Sequence, residues 1–349
     1  MNGLRVGIIG AGGIAGVHIA GWQQLGAQVR IYSRSGAAGL GQRYGITEAS
    51  SLAGLLDGVD VISILTPTST HHDYALAAIA AGKDVMCEKP LAENAARAAA
   101  MANAAAMANA AAAANVLLFP AHVVRFFPEY LQAKETLQAP AAPAPGRLTL
   151  HRSSAAPAAG SWFFDESRGG GIIFDQMIHD LDQARWLAGE VVQLEATQTP
   201  PSVAGVVPRP VTARVRLTHA NGAISELRGE WGPPGLPFST HLRVQDAEGA
   251  ELFRWPRGRQ AGAGRNAAGD YLPAHTPATS PYTRQIADFA QSRASGARPG
   301  VSSLDGVMAV ALAEAATASR TTGAAVGFSA AAVEALLDLP ASGAGHGHG

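Results

Sequence analysis

Leu4–Gly10 reads L-R-V-G-I-I-G and runs without a break into Ala11–Ala15, A-G-G-I-A. A short apolar strand therefore ends at Gly10. Gly10, Gly12 and Ala15 then fill the spacing G-x-G-x-x-A that opens a dinucleotide-binding βαβ unit. The first glycine allows the tight turn, the second lets main chain come up to a pyrophosphate, and Ala15 lets the next helix pack close to the strand. That helix is predicted over 14–25, with its free N–H groups and positive dipole end turned to the phosphates. Gly13 and Ile14 lie at the same helix start, so they join Gly10 and Gly12 as expected cofactor contacts.

The following strand, 28–33, ends at Ser33-Arg34. An acid that binds the ribose hydroxyls is expected about 20 residues beyond the fingerprint. A hydroxyl and a guanidinium suit a 2′-phosphate instead, which favours NADP over NAD; the alternative is a solvated arginine after a strand. The pattern then repeats. A short helix is predicted over 51–56, a strand over 59–65, a helix over 70–81 stopped by Gly82, a strand over 84–88, an alanine-rich helix over 93–114 and a strand over 116–119. Strands alternating with helices predict a doubly wound parallel sheet, which binds ligands beyond the carboxyl ends of its strands. Thr66-Pro67-Thr68 and Glu88-Lys89-Pro90 fall at such ends. Cys87 is expected to be a buried strand residue rather than a nucleophile.

Beyond His122 the pattern changes. A helix is expected over 126–137, a proline-rich loop over 139–146 and a strand over 147–153. In Gly169–Asp182, G-G-G-I-I-F-D-Q-M-I-H-D-L-D, three glycines lead into a helix-like segment. Asp175 and His179 are four residues apart, one helical turn, so an acid stands to support an imidazole as a proton acceptor. Val211, Ala213, Val215 and Leu217 alternate with polar residues, which predicts a sheet with one wet face. Asn221-Gly222 and 246–249 mark hairpins, and 305–318 reads as a helix. The fold expected is an α/β Rossmann domain over 1–121, an α+β domain with an open antiparallel-rich sheet over 122–340, and a disordered tail over 341–349.

With these motifs in place, the chain resembles the Gfo/Idh/MocA oxidoreductases. The matching stretches are G-I-I-G-A-G-G-I-A-G-V-H, T-P-T-S-T-H ending at His71, C-E-K-P-L-A from Cys87 to Ala92, and the G-G-G segment. Weaker likeness continues through Y-T-R-Q-I-A-D-F-A and the helix before T-G-A-A-V. The resemblance implies a nicotinamide cofactor acting on sugars, inositols and related polyols. It also implies that Lys89, Asp175 and His179 are the catalytic set, and that Thr66, Pro67, Thr68, His71, Glu88 and Lys89 border the cofactor. His179 is expected to take a hydroxyl proton, Asp175 to hold substrate and support His179, and Lys89 to bond the substrate oxygen, with Lys89 as proton carrier the alternative. Where many members carry N-R-R-F, this chain has Val123-Val124-Arg125-Phe126.

Arg125 and Trp162 are candidate substrate contacts; for Arg125 the alternative is an ion pair, and for Trp162 it is a core or interface role. His71-His72-Asp73 lacks a third ligand at metal-site spacing, so no metal is expected. One rival keeps the fold and changes the reaction, a glycosidase that uses NAD transiently; a second, of another class, is a cofactor-binding sensor or regulator without turnover. Of 349 residues, 47% are hydrophobic and 15% charged, which is enough for a sizeable core. Net charge is -1, so no nucleic-acid partner is implied. One cysteine precludes an intrachain disulfide, and no run reads as a membrane span. A cytoplasmic protein is expected, forming a dimer or tetramer through the second sheet.

Overall fold

A computed structural model describes residues 3–112, 116–256 and 280–337; the expected tail lies outside them. The first sheet is built from β1 (Arg5–Ile9), β2 (Gln28–Tyr32), β3 (Thr47–Glu48), β4 (Val61–Ile64), β5 (Asp84–Glu88) and β6 (Leu118–Ala121). Between them run α1 (Ala15–Gln24), α2 (Ala38–Tyr44), α3 (Leu52–Asp57), α4 (His71–Ala80) and α5 (Ala95–Ala112). Strand order is β3-β2-β1-β4-β5-β6 and every pairing is parallel. That is the dinucleotide-binding order. β1, β4 and β5 are almost wholly buried because helices cover both faces. Ser51 caps α3 by accepting from the Gly54 N–H, and Gly82, at φ +68, follows α4.

Register decides the site. Ile9 lies beside Tyr32, Ile64 beside Cys87, and Glu88 beside Ala121. Gly10, Ser33, Thr66, Lys89 and His122 therefore leave the sheet along one edge.

The second half contributes α6 (Pro128–Gln138), β7 (Arg147–Ala155), α7 (Glu166–Gly169), α8 (Ile178–Ala188), β8 (Val191–Thr199), β9 (Val211–His219), β10 (Ile224–Gly232), β11 (Ser239–Gln245) and β12 (Glu251–Trp255). α9 (Pro281–Ser295), α10 (Ser303–Thr322), β13 (Val326–Gly327) and α11 (Ala330–Glu334) follow. Strand order is β12-β11-β7-β10-β9-β8-β13. The sheet is mixed rather than purely antiparallel, because β7 and β10 pair in parallel. The long excursion from β7 through α8 lets the chain return to β7's flank in the same direction. On β9 the even-numbered residues from Thr212 to Thr218 face outward and their neighbours face the core. The hairpin at Asn221-Gly222 turns through Gly222 at φ +85.

α9 returns to the first sheet. Ile286 and Phe289 join Val6, Ile8, Trp22 and Phe119 in one apolar cluster. α10 packs on α5, α8 and β8, and Glu314 accepts from the Ala95 N–H at 2.9 Å. Ser302 and Asp305 form a capping box at its start. No helix among the described residues is long and apolar enough to cross a membrane.

Candidate active site

The fingerprint has the shape of a phosphate cradle. Gly10 has φ +109, and a Cβ there would sit 2.7 Å from the Leu65 carbonyl oxygen, so this position needs glycine. At Gly12 and Gly13 a Cβ would meet nothing within 4 Å. Open space at the start of α1, with main-chain N–H groups beside it, fits a pyrophosphate. Ile14 immediately precedes α1. Beyond β2, the Ser33 and Ser35 hydroxyls are 3.1 Å apart. Arg34 is exposed and takes part in no ion pair among the described residues.

The next two strand ends are tied together. His71 is buried, with Nδ1 2.8 Å from the Pro90 carbonyl oxygen and Nε2 2.8 Å from that of Thr66. Burial pushes its pKa down, and the two carbonyls oppose that shift. Through His71 the Thr66-Pro67-Thr68 turn and the Lys89-Pro90 loop hold each other; Thr70 adds a 2.8 Å hydrogen bond to the Thr66 hydroxyl. His71 thus serves structure at the cofactor edge. His72 is paired with Asp73 at 2.8 Å, and Arg97 also binds Asp73.

Glu88 brings in a residue that motif reading passed over. His18, fully buried on α1, places Nε2 3.1 Å from Glu88 Oε1 and Nδ1 3.2 Å from the Ser63 hydroxyl. The other carboxylate oxygen of Glu88 accepts from the Lys89 N–H at 3.1 Å. Burial alone would raise the Glu88 pKa, but His18 and the Lys89 charge hold it below its ordinary value. His18 closes the stretch G-A-G-G-I-A-G-V-H, and its place four residues into α1 was the available signal.

Lys89 crosses from the first sheet to the G-G-G segment. Its Nζ donates to the Asp175 carbonyl at 2.6 Å and to Asp175 Oδ1 at 2.9 Å. The glycines make this approach possible: Gly170 and Gly171 have φ +67 and +66, and a Cβ on Gly170 would lie 2.4 Å from Phe174 Cβ. Asp175 sits in a π turn, Ile173–Met177, rather than in a regular helix. Such turns, bonded i→i+5, recur at functional sites, and here a main-chain carbonyl inside the turn takes the lysine ammonium.

The expected support of His179 by Asp175 takes a different form. The Asp175 carboxylate binds Lys89, while His179 Nδ1 is buried and has no hydrogen-bond partner among the described residues. The π turn shifts the two residues from their α-helical phase. Burial, followed by the positive charges of Lys89 and Arg152, pushes the His179 pKa well below its ordinary value. A neutral imidazole and a positive ammonium therefore stand near each other at the carboxyl edge of a dinucleotide sheet. The imidazole can accept a proton, and the ammonium can steady a developing alkoxide.

Of the two expectations for Arg125, substrate contact or ion pair, the structure displays an ion pair. Arg125 is 4% exposed and spans Asp182 with two hydrogen bonds of 2.9 and 2.6 Å; Asp305 lies 3.2 Å away and the Gly300 carbonyl also accepts from it. Burial would lower its pKa, but the two carboxylates raise it overall. A guanidinium so fully engaged locks the turn at Val123–Phe126 to α8 and α10. Trp162 is half-buried and stacks on Phe163 with ring centroids 4.0 Å apart, directly before the G-G-G segment.

Fold and site together define a two-sheet, nicotinamide-dependent oxidoreductase. The chain belongs to the Gfo/Idh/MocA family: residues 4–116 match its NAD-binding Rossmann model and residues 130–245 its C-terminal domain model. It is 29% identical over 332 residues to the rhizopine catabolism protein MocA of Rhizobium meliloti, covering 91% of this chain and 95% of that one. It is 28% identical over 336 residues to inositol 2-dehydrogenase 4 of Saccharopolyspora erythraea, covering 92% and 94%. Among solved structures, GenD2 from gentamicin A biosynthesis in complex with NAD has a TM-score of 0.81 at 24% identity, covering 94% of this chain and 97% of that one. A putative myo-inositol dehydrogenase from Sinorhizobium meliloti 1021 has a TM-score of 0.78 at 24% identity, covering 93% and 100%.

Proposed function

We propose that this chain is an NAD(P)-dependent dehydrogenase that oxidises a CH–OH group of a sugar, inositol or related polyol. The observation that carries the reading is Lys89, from the end of β5, bonded to both the carbonyl and the carboxylate of Asp175, with His179 beyond it on α8. The relatives named as MocA and inositol 2-dehydrogenase supply the substrate class. A bound nicotinamide supplies the hydride acceptor.

The protein's part is positioning and proton management. Gly10, Gly12, Gly13 and Ile14 hold the pyrophosphate, while Thr66, Pro67, Thr68, His71 and Glu88 shape the edge near the nicotinamide. Ser33 and Arg34 take a 2′-phosphate, so NADP is preferred. Lys89 donates to the substrate oxygen, Asp175 fixes Lys89 and contacts substrate, and His179 accepts the hydroxyl proton. Trp162 walls the substrate side. The division at 121/122 separates cofactor from substrate functions. The wet outer face of the second sheet, with exposed Arg214 and Arg216, joins copies into a homo-oligomer in the cytoplasm.

The test is a panel of polyols and sugars with NADP and NAD, followed by absorbance of the reduced cofactor. Stoichiometric, substrate-dependent reduction is expected. Substrate cleavage with no net reduction would replace this reading with the glycosidase, and binding without any turnover would replace it with the sensor.

A further inference from the structure

His179 needs an inward partner, and the structure gathers candidates for one. Among the buried polar atoms that have no hydrogen-bond partner among the described residues, five come from His179 and two neighbours: His179 Nδ1, both ring nitrogens of His122, and both amide atoms of Gln183. They come from two adjoining elements. His122 leaves β6 next to where Lys89 leaves β5, because Glu88 and Ala121 are paired. His179 and Gln183 are one turn apart on α8, with Asp182 on the same flank. His122 Nδ1 lies 3.9 Å from Asp182 Oδ2.

Buried polar groups are almost always bonded to protein or to internal water, and leaving one unmet costs its full desolvation. An internal water bonds to two to four such groups, and the five atoms here can satisfy one or two such waters. A fold that keeps them here needs a reason, and His179 provides it. Its Nδ1 is the buried, unpartnered nitrogen, which leaves Nε2 as the one to meet substrate. For Nε2 to take a proton, Nδ1 must carry the hydrogen, and an acceptor behind it must hold that tautomer. Asp175 does not bond Nδ1.

We infer that His122 is the positioning residue for His179: through internal water shared with Gln183 it accepts the Nδ1–H of His179, while Asp182 orients His122 itself. The inference rests on His179 as the proton acceptor. Lys89, Arg152 and His122 itself are the titratable or charged groups that act on His179; Asp182, Arg125, Asp305 and Glu88 act on His122. Burial holds His122 below its ordinary pKa, so it stays a neutral acceptor.

Two variants and one structure test this. His122→Phe keeps a ring and removes both nitrogens; Gln183→Met keeps the volume. Each should lower kcat by about 10- to 100-fold, part of the effect of losing a general base. The acid limb of the pH profile should move to lower pH, because the imidazolium loses its hydrogen-bond acceptor. Cofactor Kd should stay within about two-fold of wild type and Tm should hold or rise, since unmet polar groups give way to apolar ones. His122→Gln should recover part of the rate. A crystal structure of the wild-type chain should show ordered water between His179 Nδ1 and His122, a readout that stands even if a variant fails to fold. Wild-type kcat and pH profile in both variants while His179→Ala is inactive would overturn the inference and leave the base role standing. Wild-type turnover in His179→Ala would remove the base role itself. A dry contact between the two rings, or a lower Tm with an unchanged pH profile, would assign His122 to packing.

Discussion

Gly10 and Gly12 make a pair of perturbations with opposite outcomes. In Gly10→Ala the new Cβ lies 2.7 Å from the Leu65 carbonyl oxygen, at a φ of +109. The backbone conformation costs about 1–3 kcal/mol for a residue other than glycine, and the clash with main chain adds a similar amount. At Gly12 an added Cβ meets nothing within 4 Å, so the effect of Gly12→Val on stability should stay within about 1 kcal/mol. The same side chain, however, fills the space through which main chain approaches a pyrophosphate. Loss of one charge-assisted hydrogen bond (about 1.5–3 kcal/mol) together with part of the helix-end attraction comes to about 3 kcal/mol, or roughly 100-fold in Kd. Thermal unfolding by circular dichroism and fluorescence titration with NADP separate the two effects. A Gly12→Val chain that binds cofactor at wild-type affinity, or a Gly10→Ala chain as stable as wild type, would refute the cradle.

Three other predictions follow from separate parts of the molecule. Arg34→Ala should weaken NADP binding by about tenfold, roughly one surface charge-assisted contact, and leave NAD unchanged; parallel titrations check this. Arg125→Met leaves the buried Asp182 without its cation, while Asp305 keeps Arg185 at 2.8 Å; this should cost about 3 kcal/mol in urea unfolding, and a loss of activity with intact stability would favour Arg125 as a substrate contact. His71, His122 and His179 all have pKa values below the ordinary 6.5 in the fold. Below pH 6.5 the unfolded chain therefore binds more protons, so their stabilisation is complete above that pH and is lost as pH falls. His179→Gln should flatten the acid slope of unfolding free energy, and an unchanged slope would contradict the shift.

The sequence was legible where local chemistry decides structure. β5 was read with its observed bounds, because an apolar run between Gly82 and Pro90 has few alternatives. α2 and β3 were not anticipated: the stretch around Gly36–Leu40 carries small residues without an apolar period, and β3 is two residues long. The parallel β7–β10 pair depends on where a long excursion returns, which no local pattern encodes. Lys89, Asp175 and His179 stand out in the sequence as motif residues, and the meeting of Lys89 with Asp175 is seen in the structure, but the π turn leaves no sequence signal. Single-residue insertions into a helical ladder leave no periodic trace, and this one redirects the Asp175 carbonyl to Lys89. The commitment of Arg125 to Asp182 and Asp305 is likewise a tertiary matter, since the three residues come from separate elements. His18 stood within the quoted fingerprint, yet its role appears only once α1 lies against β4 and β5.

The central claim is that Lys89, Asp175 and His179 act as one unit on a CH–OH substrate. The most direct measurement is reduced-cofactor formation on the best substrate of the polyol panel, comparing wild type, Lys89→Ala, His179→Ala and the double variant. Each single variant should lose about 10²–10⁴-fold in kcat and the double variant should be little worse than either, with NADP still bound by all four proteins. Near-wild-type turnover by both single variants, or losses that multiply in the double variant, would contradict the claim.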